Sequence, residues 1–212
     1  MFFCALTAKN KLTNTRNDQP SLMEKQNILQ IQTRNEFRQW LETHHATEKA
    51  CWVCVKRGRP TDDDTFWYLD AVEEALCFGW IDSTNKYLDA THCARRFTPR
   101  KKGSAYSRPN IERLIWLEGQ GMLHPTVRED VLPIIRAPYV FPEDILAKIK
   151  DDAVAWENYE KFSDSYKRIR IAYIDAARAR PDEFRKRLES FIRKTREGKR
   201  IVGYGGIDKY YV

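Results

Sequence analysis

The sequence lacks long hydrophobic runs, and it has few cysteines, histidines, glycines and prolines. Its 212 residues include five cysteines, four histidines, nine glycines and nine prolines. No stretch approaches the roughly 20 consecutive apolar residues that a transmembrane helix requires, so we expect no membrane insertion. No internal repeat or low-complexity segment is present, which excludes fibrous classes. With 42% hydrophobic and 32% charged residues, the composition is typical of one globular domain, with room for a small helical annex.

The cysteines are odd in number and follow no disulfide-framework spacing, which favours a reducing compartment and a cytoplasmic location. Cys51 and Cys54 form a CxxC pattern, but residues 51–55 are typical of a strand, whereas redox pairs lie at a helix N-terminus. No cysteine or histidine partner follows at zinc-site spacing. We therefore predict ordinary strand packing for both cysteines, with no metal site and no cofactor.

Motifs of the common catalytic classes are also missing. The sequence has no GxSxG, HExxH or GxGxxG pattern and no P-loop glycine pattern. His44 and His45 are adjacent in the chain, so they do not face one metal as an i, i+4 pair would. The acidic residues at 62–64 lack the spacing of an EF-hand loop and are typical of a solvated turn.

Positive charge is concentrated in two blocks. The formal net charge is +7. Residues 93–113 hold seven basic residues and one acidic residue, and residues 166–200 hold 13 basic and five acidic residues. Such blocks are expected where a protein binds phosphate, nucleic acid or an acidic protein surface. The alternative for residues 166–200 is a solvated helix face, because the charges there alternate with apolar residues at helical spacing.

Hydrophobic periodicity predicts an α+β fold: a small mixed sheet with packed helices, followed by an all-helical C-terminal region. Apolar residues recur at helical spacing around Phe37, and residues 50–57 are typical of a strand. Thr65 is expected to cap a helix that ends near Gly79, and Trp80 is expected to begin a strand. The remaining expected elements are a strand over 94–98 and helices over 107–119, 143–150, 152–161, 164–179 and 181–198.

Four segments are expected along the chain. Residues 1–22 show no period and are expected to be a disordered tail or a mis-assigned translation start. An α+β domain is expected over residues 23–140 and a helical region over residues 141–200. Four prolines between residues 125 and 142 favour short helices and turns there. Residues 201–212 hold three glycines and three tyrosines and are expected to be a tail that packs back on the domain.

The first basic block contains a candidate anion site. Its cations precede a helix expected to begin near Ser107, and a helix N-terminus attracts anions through its unpaired N–H groups and its dipole. Arginines there would bind phosphate or carboxylate in bidentate geometry. The alternative is that Arg100 pairs with Asp82 or Asp89 and that Ser107 is only an N-cap. The predicted ligand-binding residues are Trp80, Asp82, Arg96, Arg100, Lys101, Ser104, Ser107 and Asn110.

Asp82 is the single carboxylate in this stretch that we consider as a general base. It has no histidine or second carboxylate beside it in the sequence, and its alternative role is an ion pair with Arg96 or Arg100. Trp80 is expected either in the core or in the wall of a cleft.

The order of motifs in this region resembles the bacterial YdeI/OmpD-associated, or bacteriocin-protection, family. The resemblance extends over roughly residues 37–198 and implies a soluble α+β domain followed by a helical C-terminal region, with a role linked to bacteriocin resistance. This chain has Tyr106 where the family tends to place tryptophan, and Pro181-Asp-Glu-Phe184 where the family usually has Pro-Glu-Thr-Arg. The residues that carry the resemblance are Gly79, Trp80, Ile81, Asp82, Arg96 to Arg100, Ser104, Ser107 and Asn110.

Three functional hypotheses follow. In the first, the protein contributes to bacteriocin or stress tolerance by binding an anionic small molecule or an acidic protein surface. In the second, it is an enzyme that acts on a phosphorylated or carboxylated small molecule, with Asp82 and Arg100 in the site. In the third, it binds nucleic acid through both basic blocks and exposed aromatic residues.

Overall fold

A four-stranded mixed sheet lies in the N-terminal half of the protein. The computed structural model describes residues 28–62 and 64–211, so the prediction for residues 1–22 lies outside the described residues. The strands follow the order β1-β2-β4-β3, with β1 parallel to β2 and the other pairs antiparallel. They are β1 (Ile28–Leu29), β2 (Cys51–Lys56), β3 (Trp80–Tyr87) and β4 (His92–Pro99).

Helices account for the rest of the regular structure, and within the described residues all regular elements after β4 are helical. This arrangement confirms the predicted α+β class. The proline-rich stretch forms one helix of 12 residues and the loop after it, where the sequence predicts short helices and turns. The helices are α1 (Arg34–His44), α2 (Tyr68–Cys77), α3 (Arg108–Gly119), α4 (Pro125–Arg136), α5 (Glu143–Lys150), α6 (Ala153–Glu160), α7 (Asp164–Asp175), α8 (Pro181–Arg196) and a 3₁₀ helix over Tyr204–Tyr210.

The prediction for the start of α2 is wrong, and the prediction for its end is confirmed. The helix begins at Tyr68 instead of after Thr65, because the Thr65 N–H donates to Asp62 Oδ1 at 2.9 Å in a local turn. Trp67 is the N-cap, and its N–H donates to Asp70 Oδ2 at 3.0 Å. At the other end Gly79 has φ +71°, a left-handed conformation that glycine adopts without steric strain.

Side chains of β2 alternate between the two faces of the sheet. Cys51, Val53 and Val55 are buried with the helices, and Trp52 and Cys54 lie on the other face. Cys51 and Cys54 therefore cannot form a dithiol site, and burial raises the pKa of the Cys51 thiol to about 12. Within the described residues, no group of three or more potential metal ligands comes together.

The buried side chains form two hydrophobic clusters. The first lies between the sheet and helices α1 to α4, with Phe37, Leu76 and Phe97 at its centre. The second lies among helices α5 to α8 and the residues that follow them, and Leu69 of α2 joins it. Among the helices of the described ranges, none has the length and apolar character needed to cross a bilayer.

Buried carboxylates of α2 hold α1 and the C-terminal residues in place. Glu73 and Glu74 are 0% and 1% exposed. Arg34 of α1 lies 2.7 Å from Glu73 Oε2 and 2.6 Å from Glu74 Oε1. Lys209 Nζ lies 2.7 Å from Glu73 Oε1, which also accepts a hydrogen bond from the Tyr210 hydroxyl. A buried carboxylate requires such partners, because unpaired charge is very unfavourable in the interior.

A third buried carboxylate joins the two halves of the chain. Glu112 of α3 is 3% exposed. Arg168 of α7 donates to it in bidentate geometry, with distances of 2.6 and 2.9 Å, and Arg108 Nε donates at 2.7 Å. The start of α3 is therefore fixed against α7.

We predict that Glu73→Ala lowers the free energy of unfolding by about 3–5 kcal/mol, because it removes a fully buried carboxylate that pairs with Arg34 and Lys209 and accepts from Tyr210. Urea denaturation measures this change. The control is Glu157→Ala, which removes an exposed pair with Lys161 and should leave the unfolding midpoint close to the wild-type value.

If Glu73→Ala does not fold, Tyr210→Phe provides a milder test. It removes only the hydroxyl that donates to Glu73, and we expect it to lower the free energy of unfolding by about 1–3 kcal/mol. A midpoint indistinguishable from the wild type for both variants would contradict the role assigned to this cluster.

Candidate functional site

A large cavity lies between the start of α3, helices α7 and α8, and the C-terminal residues. Its volume is about 860 Å³, within the range of small-molecule sites. Apolar side chains form much of its wall, including Ile169, Ile174 and Phe191. We call this space the large cavity.

Two buried arginines line the large cavity. Arg113 of α3 is 8% exposed and Arg170 of α7 is 9% exposed. Arg113 Nη1 donates to Asn110 Oδ1 at 2.7 Å, and Arg170 Nη2 donates to the Ile201 carbonyl at 2.7 Å. The Nε atom of each arginine is buried without an acceptor. Buried donors without a partner are rare, and each is a place where a ligand acceptor or an ordered water is expected.

The rim of the large cavity adds further charge. Arg108, Lys186 and Arg187 line it, against the single carboxylate of Glu183. Arg187 is held in place, because its Nε donates to Glu183 at 2.7 Å and its guanidinium lies 3.8 Å from the centre of the Tyr173 ring. The cavity therefore combines an apolar wall with an excess of positive charge.

Ser107 is the one predicted site residue that lines the large cavity. It is the N-cap of α3, as the sequence predicts, but its hydroxyl makes no capping hydrogen bond. The positive end of the α3 dipole thus faces the rim of the cavity, where negative charge is favoured.

A second, smaller cavity lies on the other side of Val202 and Gly203, which line both spaces. Its volume is about 170 Å³, and Tyr68, Arg95 and Asp208 contribute polar groups to its wall. We call it the small cavity.

Asp82 lies behind the wall of the small cavity. The Tyr68 hydroxyl donates to Asp82 Oδ2 at 2.9 Å, and Arg95 Nη1 is 3.6 Å from the same oxygen. Burial and the Asp82 carboxylate raise the pKa of Tyr68, so the tyrosine remains protonated. Asp82 pairs with Arg95, where the sequence predicts Arg96 or Arg100 as its partner.

Arg100 and its neighbours do not form the predicted cradle. Arg100 Nη2 donates to the carbonyls of Ser104 and Ala105 at 3.2 and 3.0 Å, and its guanidinium lies 3.7 Å from the centre of the Tyr106 ring. The Ser104 hydroxyl donates to the Lys101 carbonyl at 2.7 Å. These contacts close a loop before α3, so Arg100 and Ser104 bind the protein's own backbone.

The other predicted site residues are dispersed. Trp80 is 1% exposed, and its indole N–H donates to the His45 carbonyl at 3.1 Å, so it belongs to the core and not to the wall of a cleft. Arg96 is half-buried, on the sheet face that carries Trp52. Lys101 is exposed. The side-chain oxygen of Asn110 accepts a hydrogen bond from Arg113.

Sequence reasoning missed Arg113 and Arg170. Arg170 lies between Ile169 and Ile171, and Arg113 follows Glu112 and precedes Leu114. An arginine within an apolar stretch of a helix is a signal of a buried guanidinium, but the charge count treats it like any solvated cation.

We predict that Arg100→Ala lowers the free energy of unfolding by about 1–3 kcal/mol, because it leaves loop carbonyls without their donor and removes the contact with the Tyr106 ring. The matched control is Lys101→Ala, which should change it by less than about 0.5 kcal/mol. Urea denaturation of both variants provides the comparison. Equal stability of the two variants would show that Arg100 does not hold the loop.

The comparisons with known proteins divide the chain into two parts. Residues 29–130 match a domain of unknown function, DUF8412. Residues 138–198 match the family model described as Bacteriocin-protection, YdeI or OmpD-Associated. No curated protein and no solved structure matches the chain significantly.

The match to the bacteriocin-protection model is shorter than the resemblance predicts. It covers helices α5 to α8, whereas the motif residues from Gly79 to Asn110 fall within the other matched range. Residues 138–198, less than a third of the chain, are therefore similar to the Bacteriocin-protection, YdeI or OmpD-Associated family.

Proposed function

We propose that this protein binds a small organic anion with an apolar body in the large cavity, and that this binding is its contribution to bacteriocin or stress tolerance. The observation that carries the proposal is the pair of buried arginines, Arg113 and Arg170, whose Nε atoms have no acceptor beside an apolar wall. An anionic group of the ligand would supply the missing acceptor, and its apolar part would displace water from the isoleucine and phenylalanine side chains.

The surroundings of the cavity support an anion over a neutral ligand. The N-terminus of α3, Arg108 and Lys186 lie at its rim. Electrostatic attraction in a partly enclosed space is stronger and less screened by salt than at an open surface.

Nucleic acid is a weaker candidate, because most cations of the second basic block have carboxylate partners in the protein. Arg168 pairs with Glu112, Arg178 with Asp144, and Arg196 with Asp152. Pairing lowers the density of positive charge that a phosphate backbone would encounter.

The enzyme hypothesis has less support than binding. Asp82 accepts a hydrogen bond from Tyr68 and faces Arg95, so protein groups already engage the one carboxylate considered as a general base. The four cysteines of the described residues are free thiols, which supports the proposed cytoplasmic location.

Thermal unfolding in the presence of matched ligands tests the proposal. The panel pairs 1-naphthoate with 1-naphthamide and decanoate with decanamide, each at two salt concentrations, so that each pair differs in charge but little in shape. We expect the carboxylates to raise the unfolding midpoint of the wild type in a concentration-dependent way. The amides should have much smaller effects, and the carboxylate effect should persist at the higher salt concentration.

Two variants and one control assign the binding to the large cavity. Arg113→Gln should weaken carboxylate binding by about tenfold or more, because a hydrogen bond to a charged group contributes about 1.5–3 kcal/mol. Ser190→Trp should block the cavity, since Ser190 lines it. Arg185→Gln, at an exposed pair with Asp182, should bind like the wild type.

Equal stabilisation by the amides, or unchanged binding in both cavity variants, would contradict the proposal. Stabilisation by short single-stranded RNA that disappears at the higher salt concentration would favour the nucleic-acid hypothesis instead.

A further inference from the structure

Two residues that line the small cavity each have a buried polar atom without a partner in the described protein, one a donor and the other an acceptor. Arg95 Nε is buried without an acceptor, and Asp208 Oδ1 is buried without a donor. Both residues line the cavity. The remaining oxygen of Asp208 pairs with Arg59.

Positive charge predominates in the wall of the small cavity. Arg57, Arg59 and Arg95 line it, together with the single carboxylate of Asp208. The Arg95 guanidinium lies 4.2 Å from the centre of the Tyr68 ring, and its side chain is 15% exposed. The ring contact and Asp82 fix the direction of Arg95, so its free donor is preorganised.

The size of the small cavity limits what it can hold. A volume of about 170 Å³ corresponds to roughly five or six water molecules at about 30 Å³ each. A phosphate group, with five heavy atoms, is of comparable size.

We infer that the small cavity is a phosphate site, and that it selects a phosphate group that carries a proton. The phosphate oxygens would accept from the three arginines, and the P–O–H group would donate to Asp208 Oδ1. Sulfate has the same shape but carries no proton near neutral pH. It would therefore present an oxygen lone pair to the carboxylate, and the acceptor would remain unpaired.

The inference does not depend on the large cavity. Val202 and Gly203 line both spaces, but every group in the argument belongs to the small one. A failure of carboxylate binding in the large cavity would leave the phosphate site unaffected, and the reverse also holds.

The test compares inorganic phosphate with sulfate at pH 7.5, with ionic strength held constant by sodium chloride. At this pH inorganic phosphate keeps one P–O–H group, whereas sulfate has none. We expect phosphate to raise the unfolding midpoint of the full chain and to bind at least about tenfold more tightly than sulfate in isothermal titration calorimetry.

Two variants test which atoms give the affinity and the selectivity, and a third variant is the control. Asp208→Asn replaces the acceptor by an amide that can donate, so the preference for phosphate over sulfate should fall towards unity. Arg95→Gln should weaken phosphate binding by about tenfold or more. Arg128→Gln, at a pair with Glu118 elsewhere on the surface, should retain wild-type affinity and selectivity.

The source of the phosphate group is distinguished by comparing 1-naphthyl phosphate with inorganic phosphate at pH 5.5, where both carry a P–O–H group because the second pKa of a phosphate monoester is about 6. Tighter binding than inorganic phosphate, lost in Ser190→Trp, would assign the site to a ligand whose organic part enters the large cavity. Equal affinities would assign it to free phosphate. No phosphate binding, equal affinity for sulfate in the wild type, or unchanged selectivity in Asp208→Asn would overturn the inference.

Discussion

The structure depends on the neutralisation of three carboxylates that the fold removes from water. Glu73, Glu74 and Glu112 are almost completely buried, and each is paired with cations from other elements. A buried carboxylate restricts its neighbours, because it requires donors at hydrogen-bond distance from several directions. Arg34 and Arg38 thereby fix α1 on α2, Lys209 and Tyr210 fix the C-terminal residues on α2, and Arg168 fixes α7 on α3. Both cavities lie between elements whose separation is set by these pairs.

The same chemistry separates the arginines whose donors are used within the protein from those that keep a donor without an acceptor. Arg168 places two nitrogens on one carboxylate, and Arg100 places its donors on loop carbonyls. Arg113, Arg170 and Arg95 are also anchored, but each retains an Nε without an acceptor. The density of basic residues in the sequence does not reveal this difference, because it depends on which acceptors the fold brings near each guanidinium. The binding sites that we propose therefore rest on residual hydrogen-bonding capacity next to a cavity and not on net charge.

The sequence predicts the elements of this fold better than it predicts the site. Periodicity located α1 through Phe37 and α8 through Phe184 and Leu188, and Gly79 marked the end of α2, since these signals are local. The predicted start of α2 was wrong, because the Thr65 N–H donates to the Asp62 side chain in a turn that precedes the helix. The residues of the predicted site lie apart in the structure for a different reason. Trp80 and Arg96 lie on opposite faces of the sheet, and Arg113 and Arg170 line one cavity only because α3 packs against α7. Contacts of that kind depend on tertiary packing, which spacing along the chain does not encode.

Part of the wall shared by both cavities comes from residues that lie after both matched ranges in the sequence. Val202 and Gly203 line both spaces, but the matches end at residues 130 and 198. The large cavity takes Arg113 from the first matched part, Arg170 from the second, and its closing wall from neither. A chain that matches only one of the two models therefore corresponds to only part of the wall of the large cavity. Transfer of the function proposed here would require that all three contributions be present in the same polypeptide.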